Sequence, residues 1–122
     1  QEALKAAIQQ MCVGKRTGDI SAAIQGYVES RGLHVTREYT SHGVGWEMLE
    51  SPMVPNFGEA GTGMPLRPGM VIAIEPMVLV GTYETRVLRD QWTVISADRS
   101  LTAHFEHSVA VTEGEPLILT VP

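Results

Sequence analysis

Residues 70–80 read Met70-Val71-Ile72-Ala73-Ile74-Glu75-Pro76-Met77-Val78-Leu79-Val80, an apolar segment interrupted by one carboxylate and one proline. Met70–Ile74 is short, continuous and preceded by Pro68-Gly69, the pattern of a strand buried on both faces. N-terminal to it, Ile20, Ala23, Ile24, Tyr27, Val28 and Arg31 recur at helical spacing. Asp19 stands where a helix N-terminus favours a carboxylate and Gly32 where a helix stops, so a helix is predicted over about 19–31. Leu4, Ala7, Ile8, Met11 and Cys12 predict an earlier helix over about 2–12, closed by Gly14. Leu33–Tyr39 alternates like a half-buried strand, and 41–69, rich in Gly and Pro, reads as loop. Beyond the opening segment, 83–88, 92–96, 105–112 and 117–121 read as strands, with turns at Asp90-Gln91 and Glu113-Gly114. Two helices followed by antiparallel strands predict an α+β fold: one domain over 1–122, with its sheet over about 33–121.

Composition narrows the function classes. The 122 residues carry nine Lys+Arg, scattered singly, against 14 Asp+Glu, a net charge of -5, so no basic footprint for nucleic acid or an anionic membrane is present. Charged residues make up 19%, below the roughly 25% usual for soluble domains, and a somewhat apolar surface is expected. Cys12 is the single cysteine and has no intrachain partner, which points to a reducing, cytoplasmic setting. No apolar run approaches the roughly 18 residues of a spanning helix, and no basic segment precedes a signal-like apolar one.

Three polar features stand out. Glu75 inside its apolar segment needs a cation or strong donors if it is buried and ionised; a strand-end Glu turned to solvent at Pro76 fits the pattern equally. Around Glu106, period-two alternation puts Phe105, His107, Val109 and Val111 on one face, with His104, Glu106, Ser108 and Ala110 on the other. That second face suits either a site or plain solvent. His42 lies in Ser41-His42-Gly43-Val44-Gly45, where the glycines allow a tight turn. One His and two carboxylates are a donor set suited to Zn, Mn, Co or Fe(II), although spacing alone does not bring them together.

The same words, in the same order, resemble the C-terminal half of a type I methionine aminopeptidase of the pita-bread metallopeptidase fold. The matching stretches are Ser-His-Gly-Val-Gly at 41–45, Pro-Asn-Phe-Gly at 55–58, Leu-Arg-Pro-Gly-Met at 66–70 and Ile-Glu-Pro-Met at 74–77. Trp-Thr-Val at 92–94 and Asp-Arg-Ser-Leu-Thr-Ala-His-Phe-Glu-His at 98–107 complete them. The resemblance implies half of a pita-bread fold, two N-terminal helices packed on a curved antiparallel sheet. It implies that His42, Glu75 and Glu106 are three of the five ligands of a dinuclear divalent centre (Co, Mn, Fe or Zn), Glu106 bridging. It also implies that Trp92 and Met48 border the pocket for the methionine side chain of a peptide substrate.

Departures from the pattern carry equal weight. The two aspartate ligands of the family belong to its N-terminal half and are absent here. Leu49 stands where the family has a catalytic His, and Leu can neither donate to an oxyanion nor coordinate an ion. Ser41, Trp46, Ser51 and Gln91 also depart from the usual residues. The expectation is therefore a metallopeptidase half-domain, inactive or strongly impaired as a lone chain, with metal bound weakly or not at all. Its uncovered face would be met by a homodimer partner or by an N-terminal half supplied separately. The alternatives are a non-catalytic homodimeric half-fold or truncated scaffold, and a peptide-binding module.

Overall fold

In the computed structural model, which describes residues 1–121, two helices lead into short strands; Pro122, assigned above to the same domain, lies outside the described residues. Helix α1 spans Glu2–Ile8 and helix α2 Thr17–Glu29. The first ends four residues before the expected position because the chain tightens into turn bonds, Gln10 N–H to Ala7 O and Met11 N–H to Ile8 O, both 2.9 Å. Met11 is nevertheless fully buried, so the apolar spacing reported the core and not the helix length. The second helix begins two residues early because its first amides find distant partners: Thr17 N–H donates to Met64 O (2.9 Å) and Gly18 N–H to Thr62 O (3.0 Å). At Gly18 a Cβ would come within 2.3 Å of Glu59 O, so only glycine fits there. Asp19, in the first turn, accepts from Arg16 N–H through Oδ2 (2.8 Å) and from Gly61 N–H through Oδ1 (3.0 Å).

The strands are β1 (His34–Val35), β2 (Thr40–Gly43), β3 (Glu50–Pro55), β4 (Val71–Ile74), β5 (Met77–Leu79), β6 (Thr85–Val87), β7 (Val94–Ser96), β8 (Thr102–His104), β9 (His107–Ala110) and β10 (Leu117–Ile118). They form a five-stranded sheet in the order β10-β9-β4-β2-β3, a three-stranded sheet β1-β5-β8 and the hairpin β6-β7, with every pairing antiparallel. Ile72, Ile74, Val109 and Val111 pack with Leu4, Ile8, Met11, Ile20, Ile24 and Val28 into one core, so the helices cover one face of the larger sheet. Its other face carries His42, which lies opposite Ala73, and Ser108, which lies opposite Ala73 on the far side.

Several expected elements are corrected. The stretch 41–69 is not all loop: it holds most of β2 and all of β3, whose Pro52 and Pro55 are accommodated because β3 is an edge strand. Leu33–Tyr39 is not one strand, since β1 ends at Val35 and β2 starts at Thr40. The expected strand 105–112 shrinks to β9, and Phe105, grouped by alternation with Val109 and Val111, is exposed while those two are buried. The remaining predicted strands are present in shortened form as β6, β7 and β10, while β5 and β8 were not anticipated.

The pairing of β4 with β9 matches Ile74 to His107, and the pairing of β5 with β8 matches Met77 to His104. The register is the same on both sides of the gap, so the two ladders are one ribbon interrupted where Glu75 would face Glu106 and Pro76 would face Phe105. Opposed like charges destabilise a ladder, and proline has no N–H to contribute. The amides released by the break are taken up by buried side chains. Glu75 N–H donates to Ser41 Oγ (2.9 Å) and Met77 N–H donates to Asn56 Oδ1 (3.0 Å), while Asn56 Nδ2 donates to Tyr39 O (3.3 Å). Asn56→Ala would strand the Met77 amide and the Tyr39 carbonyl in the interior, at about 1–3 kcal/mol. Urea denaturation should show a lower midpoint with unchanged slope, and an unchanged midpoint would contradict this account.

Candidate metal centre

The interrupted ribbon and its neighbour β2 bring His42, Glu75 and Glu106 together. One donor atom from each lies within 4.8 Å of the other two. Glu75 leaves the end of β4, Glu106 precedes β9, and His42 pairs with Ala73 on the opposite side of β4. Three adjacent strands thus deliver three donors to one level of the sheet. The solvent-facing alternative for Glu75 is not what the fold adopts: its side chain is 14% exposed.

Hydrogen bonding fixes what each donor offers. His42 Nδ1 lies 2.9 Å from Gly43 O; a carbonyl only accepts, so Nδ1 carries the hydrogen and the neutral ring keeps its lone pair on Nε2. That nitrogen lies 3.2 Å from Glu75 Oε1. A lone pair therefore meets a carboxylate oxygen, an arrangement that a proton or a metal cation resolves. An imidazole anchored through its other nitrogen, beside two carboxylates, suits a divalent ion of the Zn, Mn, Co or Fe(II) kind. His104 approaches from the other side, its Nε2 3.1 Å from Glu75 Oε2.

Burial pushes the Glu75 carboxyl above the usual carboxylate range and Glu106 pushes it further, while His104 and His42 oppose the rise. A native carboxyl that holds its proton more tightly than the unfolded one makes the metal-free fold lose stability as pH climbs from the ordinary Glu range through the raised native value.

A cavity of about 600 Å³ opens at these residues, lined among others by His42, Leu49, Glu75, Val78, Ile95 and His104. Leu49, in the position where resemblance implies a His, thus borders the same space as the two imidazoles. Trp92 and Met48 are 86% and 85% exposed, and neither lines this cavity. The sequence gives no functional role to three residues that matter here, although Ser41 is marked as a departure. Ser41 and Asn56 support the break from inside, which no local pattern signals. His104 had a signal, its place two residues before Glu106 on the same strand face. No described helix is long and apolar enough to cross a membrane.

A match to the family described as metallopeptidase family M24 covers residues 1–113. The chain is 50% identical over 120 residues to a methionine aminopeptidase of Mycoplasma capricolum, covering 98% of this chain and 48% of that protein. It is 47% identical over 121 residues to methionine aminopeptidase B of Synechocystis, covering 99% of this chain and 44% of that protein. The crystal structure of a methionine aminopeptidase from Thermotoga maritima superposes with a TM-score of 0.97 at 48% identity, over 99% of this chain and 49% of that one. A prolidase from Pyrococcus furiosus, at 23% identity and a TM-score of 0.72, shares the fold. The chain spans about half the length of these curated methionine aminopeptidases.

Replacing Glu75 with its neutral isostere removes the titration and the opposed charge at once. Glu75→Gln should raise the thermal midpoint of the metal-free chain at pH 7, because like charges brought together across the ribbon are destabilising. It should also flatten the fall in stability as pH rises above the ordinary Glu range. A lower midpoint than the parent at pH 7 would refute this reading of the carboxylate pair.

Proposed function

The chain belongs to metallopeptidase family M24, and on that premise we propose that it supplies one half of a divalent-metal aminopeptidase site acting on peptides with an N-terminal Met. The observation that carries the reading is the convergence of His42, Glu75 and Glu106, the first two of which line a largely apolar cavity. A divalent ion held there would supply Lewis acidity of the kind that activates water near neutral pH and polarises a carbonyl. His42 would hold it through Nε2, with Gly43 O fixing the ring, and Glu75 and Glu106 would balance its charge. Val78, Leu79 and Ile95 offer the substrate's first side chain an apolar wall. Leu49 contributes contact area and no hydrogen bond.

Three donors leave a dinuclear centre incomplete, so the remaining ligands would have to come from outside residues 1–121. The exposed apolar side chains Trp46, Met48, Leu49, Trp92 and Leu101 support an uncovered face that either a second copy or an N-terminal half would meet. Leu49 favours a second reading, a non-catalytic dimeric half-fold, because the position offers nothing to a developing oxyanion.

Excess Mn or Zn at pH 7.5 should raise the thermal midpoint of the chain, by about 2.7 kcal/mol of added stability at a hundredfold excess over Kd. Glu106→Gln should remove most of that gain. An unshifted parent midpoint would reduce the three residues to relics of a site and leave the non-catalytic reading.

The lone chain should release no appreciable Met from a Met-Ala-Ser peptide with Co or Mn, and light scattering at tens of micromolar should give a mass above the 13.3 kDa of one chain. Rapid Met release, or a strictly monomeric mass, would overturn the corresponding half of this proposal.

A further inference from the structure

Glu75 is bracketed by two imidazoles that do opposite things. His42 has its hydrogen on Nδ1, bonded to Gly43 O, and turns a lone pair toward Oε1. His104 Nε2 lies 3.1 Å from Oε2, and a carboxylate oxygen only accepts, so this nitrogen carries the hydrogen and donates it. His104 also stands outside the group whose donor atoms converge, which consists of His42, Glu75 and Glu106. We propose that His104 is a positioning residue for the metal centre: it engages Oε2 of Glu75 and thereby leaves Oε1, the oxygen beside His42, to face the ion. The inference rests on the metal reading of the previous subsection and extends it to a residue with no ligand role.

The fold explains why His104 can do this. The residue ends β8, opposite Met77 of β5, on the side of the ribbon's break away from β4 and β9. Glu75 is therefore held at its backbone by Ser41, through its amide, and at one carboxylate oxygen by His104, from a different strand. A carboxylate with one oxygen engaged and its backbone fixed has little freedom left to rotate. Such pre-set ligands bind an ion without first losing side-chain entropy.

Co(II) titration of the 122-residue chain, followed by calorimetry and by the visible absorption of the bound ion, tests the assignment. His104→Ala and His104→Leu, which both remove the donor, should weaken Co(II) binding about 10- to 100-fold when titrated at a temperature where the metal-free variants are folded. His104→Gln, whose amide can donate to Oε2, should recover most of the affinity and preserve the parent spectrum. His42→Ala, which removes a ligand, should abolish binding. If both donor-free variants bind as tightly as the parent while His42→Ala does not bind, this inference fails and the metal reading survives. If His104→Gln is as weak as His104→Ala, or alters the spectrum in the manner of a lost ligand, the positioning role is wrong. If the parent binds no Co(II), the metal reading fails and takes this inference with it.

Discussion

Two hydrogen bonds, from Glu75 N–H to Ser41 Oγ and from Met77 N–H to Asn56 Oδ1, hold open an interruption on which the rest of the molecule depends. Without the interruption, β4 and β5 would be one strand, β8 and β9 another, and Glu75 and Glu106 would be opposed in a continuous ladder. The break turns a sheet defect into a place where two acidic side chains and an imidazole meet, while the buried amides stay satisfied. Ser41 is informative because its buried hydroxyl has a defined partner in the Glu75 amide. The strand pair on either side keeps its register, so the defect is local and the core behind it is unaffected.

The site is built against stability. Burial and Glu106 both disfavour the ionised form of Glu75, and only the two histidines ease it. A chain selected for packing alone would place an apolar residue at 75, as Ile72 and Ile74 show on the other face of the same segment. The energetic tension has the form expected of a group kept for chemistry, where a cation would relieve what the protein leaves unbalanced.

Legibility of this fold in its sequence followed distance along the chain. Apolar spacing exposed α2, the core residues of α1 and the buried strand at 71–74, because neighbours in sequence decide those features. It missed the start of α2 at Thr17, which depends on carbonyls at 62 and 64, and it overextended α1, which ends in a turn that still buries Met11. Glycine and proline hid both strands: β2 ends on Gly43, and β3 carries two prolines that an edge strand tolerates and a central one would reject. The ligand residues were individually visible as polar anomalies, yet their meeting depended on strand order. Leu49 was marked by resemblance alone. Trp92 and Met48, assigned to a pocket by the same route, sit on the surface of this chain, and His104 was seen only as a member of a strand face.

Pro52 and Pro55 on the outer strand β3 bear on how this chain meets other copies of itself. Neither proline has an amide to give to strand pairing, and the opposite border of the large sheet is β10, two residues long. Neither border offers a template for lateral strand addition, so fibril-like growth of the sheet is suppressed at both ends. Encounters between chains are thereby diverted from backbone pairing to side-chain contact, and side-chain contact is where sequence can choose its partner.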